Sequence, residues 1–231
     1  GVAIVNISNP SNPQNLGYIS GTNNLILENL DIYNNLLAVA AHEDGILLYD
    51  ISNPTNPSFI STLETENAWA VDLDDYYMYV ADGSTLLVYY EIFEDSGEYA
   101  LMASLALSNA IKDIAVGSGY LYAAIGSDGV VAIDMMVNAT PQIIATYNTS
   151  AMANRLEILD GDKIAVSDWD DVEVLELNLD NNTLDLVGYK NTTKRTMAIA
   201  TKDNYIYSAE WASVQVFKFG EIGGADIDLS A

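Results

Sequence analysis

The sequence predicts an all-β fold, namely a β-propeller of about five four-stranded blades. Three observations support this prediction. A motif recurs with a period of about 40 to 44 residues, which is the spacing of propeller blades. Each period divides into four short runs rich in β-branched and aromatic residues, separated by Gly, Asn, Asp and Pro turns. Such turns interrupt every stretch that could otherwise form a helix.

The repeat is clearest near the N-terminus. Residues 1–20 and 45–62 match almost position for position, and the second copy starts 44 residues after the first. Weaker copies of the same strand-like run follow at residues 85–92, 129–134, 171–177 and 213–219. Because a single repeat of this length cannot bury its apolar faces alone, the copies are expected to stack side by side in one domain, residues 1–231.

Each repeat supplies its strands in the same order. In the first complete repeat the second run, LLAVAA at residues 36–41, is apolar on both faces, as an inner strand between two neighbouring sheets must be. The third run alternates in several repeats, as in VEVLEL at residues 172–177, which is typical of a strand nearer to solvent. The predicted blades comprise residues 26–63, 69–105, 111–147, 155–189 and 196–219, together with an N-terminal strand at 15–20.

The strand count leaves the closure of the ring open. Residues 1–20 provide a third and a fourth strand with no first and second before them, and the last unit provides three strands. In the favoured arrangement, residues 15–20 complete the last blade, so that strands from both termini close the ring. Alternatively, the chain is a fragment of a larger propeller, or its open half-blade is completed by a neighbouring molecule.

Composition narrows the classes of partner. With 8 Lys and Arg against 33 Asp and Glu, the formal net charge is −25, which repels nucleic-acid phosphates and anionic membranes. Basic proteins or divalent cations fit this surface better. There is no cysteine, so disulfides and thiolate metal sites are excluded, and no apolar run is long enough to span a membrane.

Two segments carry a family resemblance. Residues 5–13 read VNISNPSNP and residues 48–57 read LYDISNPTNP, while residues 132–141, AIDMMVNATP, are a degraded third copy. They resemble the LVIVD repeat of bacterial and archaeal surface proteins. The resemblance implies a β-propeller on or outside the cell, and it implies no chemistry, because the motif is structural: Asn6 or Asp50 is expected to bond to the backbone of the turn that follows it.

The turns between second and third strands are acidic in most repeats, and in propellers these turns lie on the face where ligands usually bind. Asp168, Asp170 and Asp171 form the best local candidate for calcium, which prefers several oxygen ligands. The remaining residues expected on this binding face are His42, Glu43, Asp44, Asp82, Asp128, Trp169, Glu210 and Trp211.

These patterns favour a non-enzymatic module that binds a protein or a glycan outside the cell or on its surface. Asn-x-Ser/Thr sequons in or near predicted loops agree with that location, and the glycosylation candidates are Asn138, Asn148, Asn181 and Asn191. A structural subunit of a surface filament or layer, assembled with copies of itself by strand complementation, is the alternative. A glycoside hydrolase is a distant third, since paired carboxylates could serve that reaction; otherwise no catalytic residue or cofactor, apart from calcium, is expected.

Overall fold

The computed structural model describes residues 1–92, 97–135, 140–159 and 163–220. These residues form β-strands joined by turns, and no helix occurs among them. The strands are arranged in successive antiparallel sheets that follow one another along the chain. The predicted all-β fold and the propeller blades are therefore confirmed.

The chain divides into two compact units. The first comprises residues 1–83 and 87–102, and the second comprises residues 84–86 and 103–231. The sheets are, in chain order, β1 (Ala3–Asn6) and β2 (Gln14–Tyr18); β3 (Asn29–Tyr33), β4 (Leu36–Ala40), β5 (Ile46–Asp50) and β6 (Ser58–Leu63); β7 (Ala68–Leu73), β8 (Tyr77–Asp82), β9 (Thr85–Glu91) and β10 (Tyr99–Ala106); β11 (Asp113–Gly117), β12 (Tyr120–Ala124), β13 (Val130–Asp134) and β14 (Gln142–Tyr147); β15 (Ala153–Ile158), β16 (Lys163–Asp168), β17 (Asp171–Asn178) and β18 (Thr183–Asn191); and β19 (Thr196–Lys202), β20 (Tyr205–Glu210) and β21 (Ser213–Lys218).

The second strand of each complete blade is buried on both faces, as its apolar sequence predicts. The turn to the third strand is tight and needs glycine in two blades. Gly45 and Gly129 have φ angles of 78° and 81°, and a Cβ atom at these positions would lie 2.4 Å from the Leu63 carbonyl oxygen and 2.1 Å from that of Tyr147. In both blades, the backbone of the turn between the second and third strands therefore packs against the end of the fourth strand of the same blade.

Neighbouring blades within each unit are joined through their first strands, which contact one another. The Asp31 carboxylate accepts the Leu73 N–H at 2.8 Å in the first unit, and the Asp113 carboxylate accepts the Leu156 N–H at 3.0 Å in the second. Each of these bonds spans 42 or 43 residues, which is one repeat. The spacing of the motif therefore places polar side chains of one blade against the backbone of the next.

The Asn-Pro motif forms the turn after a third strand, as predicted. The Asp50 carboxylate accepts the Ser52 N–H at 2.7 Å, and the Asn6 side chain accepts the Ser8 N–H at 2.9 Å. These bonds give the backbone donors that follow the strand a local partner.

The N-terminal strands pair differently from the favoured arrangement. Within the described residues, β2 pairs with β1 in a two-stranded sheet, and β19, β20 and β21 form a sheet of three strands. Residues 15–20 were expected to be the fourth strand of that last sheet. The Asn-Pro turn between β1 and β2 folds the chain straight back, so the nearest partner for β2 is its own predecessor. Closure of the ring by both termini stays a prediction.

Candidate functional site

Three buried carboxylates meet at the hairpin of β16 and β17 in the second unit. Asp168, Asp171 and Glu173 are 0%, 5% and 3% exposed, and they offer ligand atoms that lie within 4.8 Å of one another. The strand register produces this convergence, because Asp168 lies directly opposite Asp171. Glu173 follows two residues later and therefore shares a face of the strand with Asp171.

Residues before β15 cover the cluster from one side. The Ser150 hydroxyl donates to Asp168 at 2.8 Å and to Asp171 at 3.3 Å, and the Ser150 N–H donates to Glu173 at 3.3 Å. The Ala151 N–H donates to the same Asp168 oxygen at 2.8 Å. Each carboxylate thus has one oxygen fixed by this short segment.

The second oxygen of each carboxylate has no hydrogen-bond partner among the described residues. These atoms are Asp168 Oδ1, Asp171 Oδ1 and Glu173 Oε2. None of the ion pairs formed by the described residues involves any of the three side chains. A buried charge without a partner is destabilising, so we expect these three oxygens to share a proton or to bind a cation.

The electrostatics of the cluster reflect the same crowding. Burial, followed by repulsion from Asp168 and Asp170, raises the pKa of Asp171 to about 7. Burial, followed by Asp171 and Asp168, raises the pKa of Glu173 to about 7. The nearby Tyr147 hydroxyl has its pKa raised to about 12 by burial and by the same carboxylates. Negative charge is therefore concentrated in a small buried volume.

The sequence identified two of the three cluster residues. Asp168 and Asp171 come together as expected, whereas Asp170 is exposed at the tip of the turn and is not part of the cluster. Glu173 takes its place. The available signal was the spacing of Asp171 and Glu173, since residues two apart in a strand point to the same side.

The other residues predicted for the binding face lie in or beside turns, and several are engaged internally. His42 is held between the side chains of Asn67 and Glu28, each at 3.0 Å. Both Asp82 oxygens accept backbone N–H groups, those of Glu66 and Asn67. The exposed members are Glu43, Asp44, Asp128 and Trp211.

The remaining aromatic and acidic members of that face differ in accessibility. Trp169 is partly covered by the Arg195 guanidinium, which lies 4.4 Å from the centre of its ring. Glu210 is buried, and its carboxylate accepts hydrogen bonds from Thr193, Ser213 and Gln215. Trp211, by contrast, is 72% exposed. Of these three, Trp211 offers the largest free apolar surface.

A groove of about 670 Å³ in the first unit was not singled out by the sequence. It lies at the opposite strand ends from the predicted face, around the turn between β7 and β8 and the end of β9. Tyr76 is 61% exposed and Tyr90 is 44% exposed. The remaining polar and aromatic residues that line it include Tyr33, Asp50, Asp74, Asp75, Glu91 and Tyr99.

Hydrogen bonds shape one wall of this groove. Asp74 accepts the N–H groups of Tyr76 and Tyr77 through one oxygen, and the Tyr79 hydroxyl through the other at 2.8 Å. The Tyr33 hydroxyl donates to Asp75. These bonds fix the β7–β8 turn, so that the exposed Tyr76 ring is presented on a rigid support.

Three glycosylation candidates lie on the surface. Asn148 and Asn191 are exposed beside the ends of β14 and β18, and Asn181 is exposed in the turn between β17 and β18. Asn138 lies outside the described residues. Among the residues that the structure describes, no helix has the length and hydropathy of a membrane span.

Comparison with known proteins supports the family assignment. The family model of the LVIVD repeat matches residues 1–19, 28–65 and 110–149. These segments include residues 5–13, 48–57 and 132–141, the three segments that carry the resemblance to the repeat. No curated protein matches the chain.

Solved structures of similar fold come from distant sequences. A functionally unknown protein from Desulfotomaculum acetoxidans is 13% identical with a TM-score of 0.69, covering 90% of this chain and 70% of that one. A protein from Lactobacillus plantarum is 16% identical with a TM-score of 0.79, covering 96% and 73%. The computationally designed Ika8 protein is 14% identical with a TM-score of 0.58, covering 89% and 74%. At such identities the likeness concerns the fold alone.

Proposed function

Since the chain is an LVIVD-repeat β-propeller protein, we propose that it is a non-enzymatic interaction module of the cell surface or the extracellular space. The observation that carries the proposal is the acidic, tyrosine-lined groove of the first unit. Its volume of about 670 Å³ is within the usual range for ligand sites. Its lining combines exposed aromatic rings with carboxylates and contains no cationic side chain among the described residues.

This chemistry favours a basic segment of a partner protein. A Lys or Arg side chain can lie over the ring of Tyr76 or Tyr90 while its charge faces Asp75 or Glu91. The net charge of −25 attracts such a partner from a distance. A glycan would use the same rings and carboxylate acceptors, but it would gain nothing from the net charge.

The experiment compares two exposed aromatic side chains. Binding of a fluorescent Arg- and Lys-containing peptide is measured for the wild type, for Tyr76→Ala and for Trp211→Ala, because Trp211 lies on the face favoured by the sequence. We expect Tyr76→Ala to weaken binding about 5- to 30-fold, equivalent to about 1 to 2 kcal/mol, and Trp211→Ala to leave it unchanged. Added salt should weaken wild-type binding.

Three results would contradict the assignment. Loss of binding in Trp211→Ala alone would move the site to the turns between second and third strands. Equal binding of a peptide with Gln at every basic position would remove the electrostatic basis. Binding of neutral oligosaccharides, with no binding of the basic peptide, would identify a glycan module instead.

A second candidate function is supported by the edge strand of the last sheet. Within the described residues β21 pairs only with β20, and Val214 and Val216 on this strand are exposed. An unpaired edge can receive a strand from another copy, as in a surface filament or layer. Size-exclusion chromatography and electron microscopy test this: ordered polymers that are lost on deleting residues 1–20 would support assembly by strand complementation, and a monomer at high concentration would exclude it.

A further inference from the structure

The buried carboxylates of the β16–β17 hairpin have the arrangement of a cation site before the cation binds. Asp168, Asp171 and Glu173 each have one oxygen tied to Ser150 or Ala151 and one oxygen left without a partner. The bound oxygens fix the side chains, and the free oxygens are buried and close together. In metal sites, hydrogen bonds to the other atom of a ligand play this same orienting role.

A second observation comes from the segment that covers the cluster. Thr149, next to Ser150, is 5% exposed, and its hydroxyl also has no hydrogen-bond partner among the described residues. Buried hydroxyls are normally hydrogen-bonded, and contact with an ion or a water molecule is a usual reason for an exception. A buried, unsatisfied hydroxyl thus lies next in sequence to the residue that donates to all three carboxylates.

We propose that Asp168, Asp171 and Glu173 bind a calcium ion through their free oxygens. Three carboxylates present hard oxygen ligands only, which suit calcium or magnesium and not the softer transition metals. Calcium tolerates irregular geometry and completes a shell of six to eight ligands with hydroxyls and water, whereas magnesium requires a near-octahedral set. A doubly charged ion offsets most of the three negative charges.

The position of the ion gives it a structural role that does not depend on the proposed partner groove. Ser150 and Ala151 lie between β14, the last strand of one blade, and β15, the first strand of the next. Asp168 and Asp171 lie at the same end of that blade, where its second strand ends and its third strand begins. Calcium would fix the link between two blades to the hairpin that it covers.

The experiment uses the full chain after treatment with EDTA. Isothermal titration calorimetry with calcium chloride, and separately with magnesium chloride, is performed on the wild type, Asp171→Asn, Glu173→Gln and Asp128→Asn. Asp128 is the matched control, because it is an exposed turn carboxylate bonded to a serine hydroxyl, Ser108, at 2.7 Å. We expect one calcium ion per chain, with weaker binding of magnesium.

Removal of either buried charge should weaken calcium binding at least about tenfold, and Asp128→Asn should leave it unchanged. Thermal unfolding gives an independent measurement. Calcium at 100 times the wild-type Kd should raise the melting temperature of the wild type by at least about 5 °C, and at the same calcium concentration this rise should fall to about half or less in Glu173→Gln.

Several results would overturn the proposal. Absence of calcium binding by the wild type would show that the carboxylates share protons instead. Unchanged binding in Asp171→Asn and Glu173→Gln would place the ion elsewhere, and equal affinity for magnesium would exclude a calcium site. If a variant does not fold, the wild-type stoichiometry and the calcium-dependent melting temperature still decide.

Discussion

The β16–β17 and β20–β21 hairpins of the second unit occupy the same position in successive blades, yet their polar residues differ in kind. In the first, Asp168 meets Asp171 and Glu173. In the second, Glu210 lies opposite Ser213, and Gln215 follows two residues later. Both hairpins turn through a tryptophan and one further residue. The two hairpins therefore differ at two equivalent positions. Asp171 corresponds to Ser213, and Glu173 corresponds to Gln215, so an acid in one blade is a neutral hydrogen-bond donor in the other.

Two substitutions in the repeat are thus enough to turn a self-satisfied polar hairpin into a hairpin with unbalanced charge. Glu210 accepts hydrogen bonds from the Ser213 hydroxyl at 3.1 Å and from the Gln215 amide, so its charge is satisfied within the hairpin. Asp171 and Glu173 at the equivalent positions have no proton to donate when ionised. The charge that remains must be balanced from outside the protein.

Asp113 is a third buried acidic site of the second unit, and it differs from the two hairpins because a cation, Arg155, lies nearby. Burial raises its pKa to about 7, although Arg155 and the Leu156 N–H act in the opposite direction. The folded protein therefore holds a proton that the unfolded chain releases above about pH 4. The free energy of unfolding of the wild type should fall as pH rises from about 4 to about 7.

Asp113→Asn removes this contribution and retains an oxygen that can accept the Leu156 N–H. Relative to the wild type, the variant should become more stable with rising pH, by at most about 4 kcal/mol across this range. Urea unfolding with EDTA at several pH values measures the difference. Parallel profiles would show that Arg155 keeps Asp113 ionised throughout. Asp185→Asn is the control: hydrogen bonds from Asn178 and Thr183 lower the pKa of Asp185, so its contribution has the opposite sign.

Two substitutions convert the polar residues of one hairpin into those of the other. The double variant Asp171→Ser, Glu173→Gln gives the β16–β17 hairpin the donors found beside Glu210. In EDTA at pH 8 it should be more stable than the wild type by about 2 kcal/mol, because two buried charges are replaced by groups that can donate to Asp168. In calcium the advantage should shrink or reverse. Denaturant titrations with and without calcium measure this; equal destabilisation in both conditions would mean that the carboxylates act only in packing.

The sequence predicts the fold more completely than it predicts the carboxylate cluster. Turn residues, strand-like runs and the 44-residue motif spacing depend on local chemistry, and they identify the blades directly. The alternation of residues 172–177 predicts a strand near solvent. In the structure Glu173 is buried, because the segment around Ser150 covers it. Such covering depends on contacts 23 residues away in sequence, which periodicity does not reveal.

The groove was missed for a related reason. Asp74 and Asp75 have the residue type and position of ordinary turn residues, and Asp74 does accept hydrogen bonds from the N–H groups of its own turn. The groove is lined by that turn together with Tyr90, from another strand, and Tyr33, from another blade. No local sequence pattern indicates that the β7–β8 turn, Tyr90 and Tyr33 line one groove.

The reciprocal exchange has the smallest expected effect. The double variant Ser213→Asp, Gln215→Glu places three carboxylates at the β20–β21 hairpin. Because Ser213 is exposed, the added repulsion should destabilise the protein in EDTA by only about 1 kcal/mol. Calorimetry decides whether the hairpin has gained a second calcium site. No second site is expected, because the covering segments differ. The segment before β19 contacts its hairpin through the Thr193 hydroxyl, which donates to Glu210 at 2.9 Å. The Ser150 hydroxyl, by contrast, donates to two carboxylates and leaves their other oxygens buried. A second calcium ion bound as tightly as the first would show that three acids in this register suffice, and that the covering segment contributes nothing to the site.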